Sequence, residues 1–319
     1  MSPEQLYVVV RSVGERTEQA CYDVAREQVG GSDQIRIVRS LPFAEAHFES
    51  IRLASRSAAK WALFLDADIL LRSGALPDMV AEAEAFPEPF FMINFQVLDH
   101  GFGGPAYGTH LYAIHQLEKS TPFFDEVRNS QRPETALYFK VAQRGVPTFR
   151  SAAVMGIHGY EQYYRDLYRT AFVRAVKFGD SLGYFVKRYR FAFERSEQDG
   201  DREGAVLLAG LLDGLVHRQE EGSVTLEAGT FSQRAAEALS GLRLAEKGPL
   251  EIDQAGVDRI LADHAPDDLY QRNQSWICPQ PGRDTPPPEP RNRRAFKNRL
   301  RSWLLSSGVK AKRLIREYF

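Results

Sequence analysis

Trp61-Ala-Leu-Phe-Leu-Asp66-Ala67-Asp68-Ile-Leu-Leu71 is an apolar run broken by two carboxylates one residue apart. A short apolar run bounded by polar residues reads as a buried strand. Asp66 and Asp68 then fall at its C-terminal end, where open α/β sheets bind ligands. Residues two apart on an extended chain point the same way. Two carboxylates on one side repel each other unless a cation lies between them. Carboxylate oxygens suit Mg2+ or Mn2+, which in turn suit a diphosphate. Asp-Ala-Asp is also a common way to begin a turn, so the surrounding chain has to decide between the two readings.

Outward from that strand, a regular alternation appears. Leu6-Tyr-Val-Val-Val10 has a strand pattern and leads into the polar loop Arg11-Ser12-Val-Gly14-Glu-Arg16-Thr17. Thr17 is placed to cap a helix running to about Gln28. Ile35–Val38 is a second short strand, residues 44–59 are Ala-rich and helical, Leu76–Phe86 is helical and Phe90–Phe95 is strand-like. This β-α-β-α-β-α-β order implies an α/β fold with a wound, mostly parallel sheet flanked by helices. Gly101–Gly108, with four glycines, reads as a loop, and His110–Ile114 as a short strand. A helix over 135–143 and an edge element over Pro147–Val154 follow.

From Tyr160 the pattern turns helical, with Tyr160, Tyr164, Leu167, Ala171, Ala175 and Phe178 at three- or four-residue spacing. Further helices are expected at about 181–194, 202–218, 231–242 and 254–263. The reading divides the chain into an α/β part over 1–158, an α-helical C-terminal extension over 159–278, a Pro-rich linker over 279–290 and a basic amphipathic tail over 291–319.

Composition narrows the function classes. The 319 residues carry a net charge of −1, which argues against nucleic acid as the partner of the whole molecule. No apolar run of ~18 residues is present, so no membrane-spanning helix is expected. The first residues lack a basic-then-apolar signal, and Cys21 and Cys278 are too few for a disulfide framework; both point to a reducing cytoplasm. The charge is unevenly spread. Residues 291–319 hold ten Lys or Arg against one acid, a balance of +9 that leaves −10 on the remainder. Phe296, Leu300, Trp303 and Leu304 share one helical face there, a pattern suited to the inner, anionic surface of a membrane. Purified protein is expected to sediment with anionic vesicles at low salt. Equal sedimentation after deletion of 291–319 would remove that role.

Three motifs in order carry a resemblance. The first is the strand ending in Asp66-Ala-Asp68 about 60 residues after an N-terminal strand. The second is Phe124-Asp-Glu126, then Glu134, then Leu137-Tyr-Phe-Lys-Val-Ala-Gln-Arg-Gly145. The third is Gly156-Ile-His158-Gly-Tyr160. Together, over about residues 5–175, they resemble the GT-A glycosyltransferases, family-2-like members in particular.

The resemblance implies a metal-dependent glycosyltransferase. It would move a sugar from a nucleotide-diphosphate donor to a hydroxyl of a glycan, polysaccharide or lipid-linked acceptor, with inversion. It implies Asp66, Asp68 and His158 as ligands of Mn2+ or Mg2+, and Glu134 as the base that takes the acceptor proton. Arg11, Ser12 and Arg16, with Asp66, would contact the donor's nucleotide. The chain departs from the family after the second strand, where Val38-Arg39-Ser40 replaces an acid, and at Ala46-His47-Phe48-Glu49-Ser50, where an Ala-Arg-Asn element is usual. The nucleotide therefore stays unnamed. Rival readings are a sugar nucleotidyltransferase, weakened by the single glycine of the first loop, a haloacid-dehalogenase-type phosphatase with Asp66 as nucleophile, and a non-enzymatic membrane-associated scaffold.

Overall fold

β1 (Leu6–Arg11) is buried along its whole length, as a strand covered on both faces must be. Leu6, Val8 and Val10 pack into one hydrophobic core, and Tyr7 and Val9 into another on the opposite face. The computed structural model describes residues 5–40, 42–101, 103–130, 133–177, 202–220, 228–250 and 252–263, with isolated positions between 189 and 197. The Pro-rich linker, the basic tail, Cys278 and most of the helix expected at 181–194 lie outside the described residues.

The described chain divides into two units, residues up to 162 together with those from 248 onward, and residues 163–247. In the first unit β1 is followed by α1 (Glu18–Gln28), β2 (Ile35–Val38), α2 (Phe43–Ala54), β3 (Trp61–Asp66) and β4 (Ile69–Leu71). Then come α3 (Ala75–Ala85), β5 (Met92–Asp99), β6 (Gly104–Ala113), α4 (Ile114–Ser120), α5 (Phe124–Val127), α6 (Pro133–Ala142) and β7 (Thr148–His158). The seven strands form one sheet in the order β2-β1-β3-β6-β5-β7-β4. β1 pairs parallel with β2 and β3, and β5 pairs parallel with β7. β6 runs antiparallel to β3 and β5, and β4 antiparallel to β7. Helices cover both faces: α1 and α3 lie over the Leu6–Val8–Val10 core and α2, α4, α5 and α6 over the Tyr7–Val9 core.

Three expectations change. The glycine-rich stretch 101–108 is partly strand, because β6 begins at Gly104 and extends the pairing with β5 to Asp99. Gly108 is used there for space: a Cβ would come within 2.8 Å of Val97 Cγ2. Thr17 precedes α1 but does not cap it by its side chain; its hydroxyl donates to the carbonyl of Ala67 at 2.7 Å. The loop after β1 is thereby tied to the Asp66–Asp68 turn. β7 is an inner strand between β5 and β4 rather than an edge element.

The turn after Asp66 carries the chain from the β3 position across to the far side of β7, where Ile69 pairs with His158. Backbone approach there is close. A Cβ on Gly156 would sit 2.2 Å from the carbonyl oxygen of Leu70, so glycine is needed for β4 to dock. Gly159 adopts φ +75° and donates its N–H to the Asp68 carbonyl at 2.9 Å, closing the strand end onto the turn.

Helix α10 (Gln254–Asp263) belongs to the first unit, although the sequence reading assigns it to the extension; Val257 enters the core there. The second unit contains α7 (Tyr164–Lys177), α8 (Glu203–Glu220) and α9 (Ala228–Leu242). Of the helical stripe, Leu167, Ala171 and Ala175 are buried beside Tyr168 and Phe172, Tyr164 is half-buried, and Phe178 lies outside the described residues. Gly210 and Gly214 of α8 let it approach α7, since Cβ atoms would lie 2.3 and 2.5 Å from the carbonyls of Tyr168 and Phe172. Among the described residues no helix is long and apolar enough to cross a membrane.

Candidate active site

Parity along the strands decides which polar groups meet. Arg11 follows Tyr7 and Val9 onto one face of β1, and Asp66 follows Ala62 and Phe64 onto the same face of β3. The two are register partners at the C-terminal ends of parallel strands. Arg11 Nε donates to Asp66 Oδ1 at 2.8 Å. The Arg11 side chain is 4% exposed, so its charge needs carboxylate partners. A second one comes from α6, where Glu134 Oε1 lies 3.6 Å from Arg11 Nη1.

Glu134 sits in the first turn of α6 behind Pro133, which suits both the proline and the acid. Its Oε1 accepts the Tyr112 hydroxyl at 2.5 Å and is 4.0 Å from both His47 Nδ1 and His110 Nε2. Burial opposes ionisation of Glu134, but Arg11, the two histidines and the Tyr112 hydrogen bond outweigh it and hold the carboxyl well below its ordinary range. His47, on the buried face of α2, is shifted down to about 4, by burial first and by Arg11 and His110 as well, so it is a neutral ring. Arg11 Nη1 donates to its Nδ1 at 3.3 Å, which makes Nε2 the protonated nitrogen. Burial also lowers His110, in spite of Glu134. Phe43 borders this cluster, with the Arg11 guanidinium 4.9 Å from its ring centroid.

A second cluster forms where β5, β7 and the Asp66–Asp68 turn converge. His158 Nε2 faces Asp68 Oδ2 at 3.3 Å, and its Nδ1 bonds Asp99 Oδ2 at 2.7 Å. Asp99 is buried at the end of β5, in register with His158. Burial disfavours the imidazolium, but Asp68 and Asp99 outweigh it and raise His158 to about 10. Asp66 lies between the clusters. Burial and the charges of Asp68 and Glu134 push its carboxyl up, while Arg11 and His158 pull it down, with a net rise.

The sequence-derived residues thus separate. Asp68 and His158 come together; Asp66 turns toward Arg11, although the two aspartates still feel each other's charge. Arg11 is a buried anchor for Asp66 and Glu134. Ser12 is engaged within its own loop, where its hydroxyl donates to Glu15 at 2.8 Å, whereas Arg16 reaches out of the loop to donate to the Glu161 carbonyl at 2.9 Å and the Gly248 carbonyl at 2.7 Å. Asn94, Asp99, His110, Tyr112 and His47 escape the sequence reading. The available signal is a polar residue breaking an apolar strand, as at Asn94 in Met-Ile-Asn94-Phe and at His110 in Thr-His110-Leu-Tyr112.

The donor set fits a divalent cation at one place. Asp68 offers a carboxylate, and His158 an imidazole nitrogen once a cation displaces the proton that faces Asp68. Asp99 holds the other nitrogen, as carboxylates commonly do behind metal-bound histidines. Among the described residues no group of three or more His, Cys, Asp or Glu forms a metal cage. Two protein ligands completed by phosphate oxygens and water are the usual arrangement for Mg2+ on a diphosphate.

No family model matches the chain, and no curated protein matches it. The solved structures it is similar to include a glycosyltransferase involved in the glycosylation of the major capsid of PBCV-1. That likeness has 14% identity and a TM-score of 0.34, and covers 46% of this chain and 81% of that one. They also include a mannosyltransferase from Pyrobaculum calidifontis in complex with GDP-Man and Mn2+. Here identity is 15% and the TM-score 0.39, with 86% of this chain and 83% of that one covered.

Proposed function

We propose that the chain is a GT-A-like, metal-dependent glycosyltransferase that moves a sugar from a nucleotide-diphosphate donor to an acceptor hydroxyl with inversion. The observation that supports this most is the Asp68–His158–Asp99 array at the C-terminal end of the sheet, beside the Asp66 carboxylate. Asp68 and His158 would hold Mn2+ or Mg2+, and such a cation offsets the charge that develops on a departing diphosphate. Asp99 orients the His158 ring, and Arg11 fixes Asp66 and opposes the rise of its carboxyl. The loop with Ser12 and Arg16 follows β1 at the same sheet end and is our candidate for the nucleotide contact. The Arg11–Glu134–His110 cluster, on the face covered by α2 and α6, is our candidate for the acceptor side. A glycan or lipid-linked acceptor at an anionic membrane, reached through the basic tail, rests on the sequence pattern of 291–319 alone.

Thermal unfolding with UDP-, GDP-, dTDP- and CMP-sugars, with and without Mn2+, tests the reading. A ligand that binds only the folded state adds about 2.7 kcal/mol of stability at a hundredfold excess over Kd. One donor is expected to raise the unfolding temperature only when Mn2+ is present. No shift with any of them would overturn the proposal.

A further inference from the structure

We infer that His110, rather than Glu134, takes the proton from the acceptor hydroxyl, and that Glu134 serves as the fixed counter-ion of the imidazolium so formed. This deepens the glycosyltransferase reading and rests on it.

Hydrogen-bond logic fixes the state of the ring. His110 Nδ1 is bonded to the side-chain oxygen of Asn94, its register partner on β5. An amide oxygen only accepts, so Nδ1 carries the proton and Nε2 presents a lone pair. That nitrogen looks toward Glu134 Oε1 across 4.0 Å, and the His110 side chain retains 19% exposure. His47, the other histidine near Glu134, is fully buried and is not reachable by an acceptor.

Glu134 is ill placed to be the base. Its Oε1 already takes the Tyr112 hydroxyl and lies 3.6 Å from the Arg11 guanidinium. A carboxylate stabilised to that degree binds a proton weakly, while a general base works best with a pKa near the operating pH. The same charge is well placed to stabilise an imidazolium 4.0 Å away. The groups that face His110 are Glu134 from α6, Arg11 from β1, His47 from α2, Tyr112 on its own strand and Asn94 from β5.

The step balances. The acceptor O–H bond breaks and an N–H bond forms at His110 Nε2. The acceptor oxygen bonds the anomeric carbon, and the bond from that carbon to the phosphate oxygen breaks, its electron pair leaving with the nucleoside diphosphate. Asn94 is a positioning residue, because it acts by fixing the tautomer.

Two measurements on the full chain test this. Imidazole nitrogen NMR without any donor, with His110 assigned from His110→Gln, should show a neutral ring protonated at Nδ1 at pH 7. A ring protonated at Nε2, or a charged one, overturns the inference by itself. The second measurement is hydrolysis of the donor that raises the unfolding temperature, with water standing in for the acceptor. His110→Ala should lower kcat about 10²–10⁴-fold, keep the donor-induced shift, and recover part of the rate with added imidazole. Glu134→Gln should lower kcat less and move the acid limb of the pH profile downward, because its charge supports protonated His110. Donor binding intact with His110→Ala as fast as wild type, or with Glu134→Gln the more damaging change, overturns this assignment alone. No binding of any donor overturns the glycosyltransferase reading and this inference with it.

Discussion

Asp68→Ala is expected to reduce donor turnover by about 10³-fold, since a metal at the leaving phosphate supplies several kcal/mol of transition-state charge stabilisation. The cost to the fold should be smaller than at Arg11, because Asp99 stays behind as a counter-ion for His158. The backbone carbonyl of Asp68, which receives the Gly159 N–H, is unchanged by the substitution. Asp99→Asn is the companion variant: it leaves Asp68 and His158 in place but weakens the hold on His158 Nδ1. Loss of such a supporting carboxylate typically costs about 10–100-fold in metal affinity. Mn2+ titration followed by donor hydrolysis measures both. Equal rates in wild type and Asp68→Ala at saturating Mn2+ would show that this carboxylate holds no catalytic metal.

The largest stability effect is expected at Arg11. Removing one partner of a buried ion pair costs about 3–5 kcal/mol, because the remaining charge is left uncompensated. Asp66 is 41% exposed on its side chain and recovers water, but Glu134, 18% exposed, does not. Arg11→Met should therefore fall near the lower end, at about 3 kcal/mol, read from the denaturant midpoint at constant slope. Arg11→Lys keeps the charge but loses the fork and should fall between.

The pH dependence arises from Glu134, whose folded-state pKa is depressed. Such a group contributes stability that is present above its unfolded pKa, near ~4.3, and lost as pH falls through the folded value. Arg11 is the largest charge behind that depression. The gap between wild type and Arg11→Met should hold at neutral pH and narrow in acid. A gap that stayed constant from neutral to acid pH would mean that Glu134 does not draw its stabilisation from Arg11.

Most of the sheet is legible in the sequence because its signal is local. β1 and β3 are apolar strands buried on both faces, and helices α1, α2, α3 and α6 fall close to where composition and closing residues place them. β6 reads as partly loop because glycine is a turn signal, whereas Gly108 is there to clear Val97. β4 is hidden inside the apolar run, since three residues after Asp68 give no periodicity of their own. The pairing of Asp68 with His158 depends on β4 docking beside β7, a contact between residues 90 apart that the family resemblance anticipates and spacing does not. An extended chain would keep Asp66 beside Asp68, but the strand ends at Asp66 and the turn redirects Ala67 and Asp68 toward β7. Asn94, Asp99, His110 and Tyr112 come from two antiparallel strands whose register no local pattern sets. His47 looks like an ordinary polar residue of an Ala-rich helix. Its partners Arg11 and Glu134 arrive from β1 and α6.

The central claim is that Asp68 and His158 serve donor chemistry. Its most direct test is to incubate the purified full chain with UDP-, GDP-, dTDP- and CMP-sugars and Mn2+, and to measure free nucleotide by chromatography. The account predicts release from one donor class, dependent on Mn2+ and abolished in Asp68→Ala. Release from no donor, or equal release by wild type and Asp68→Ala, would contradict it.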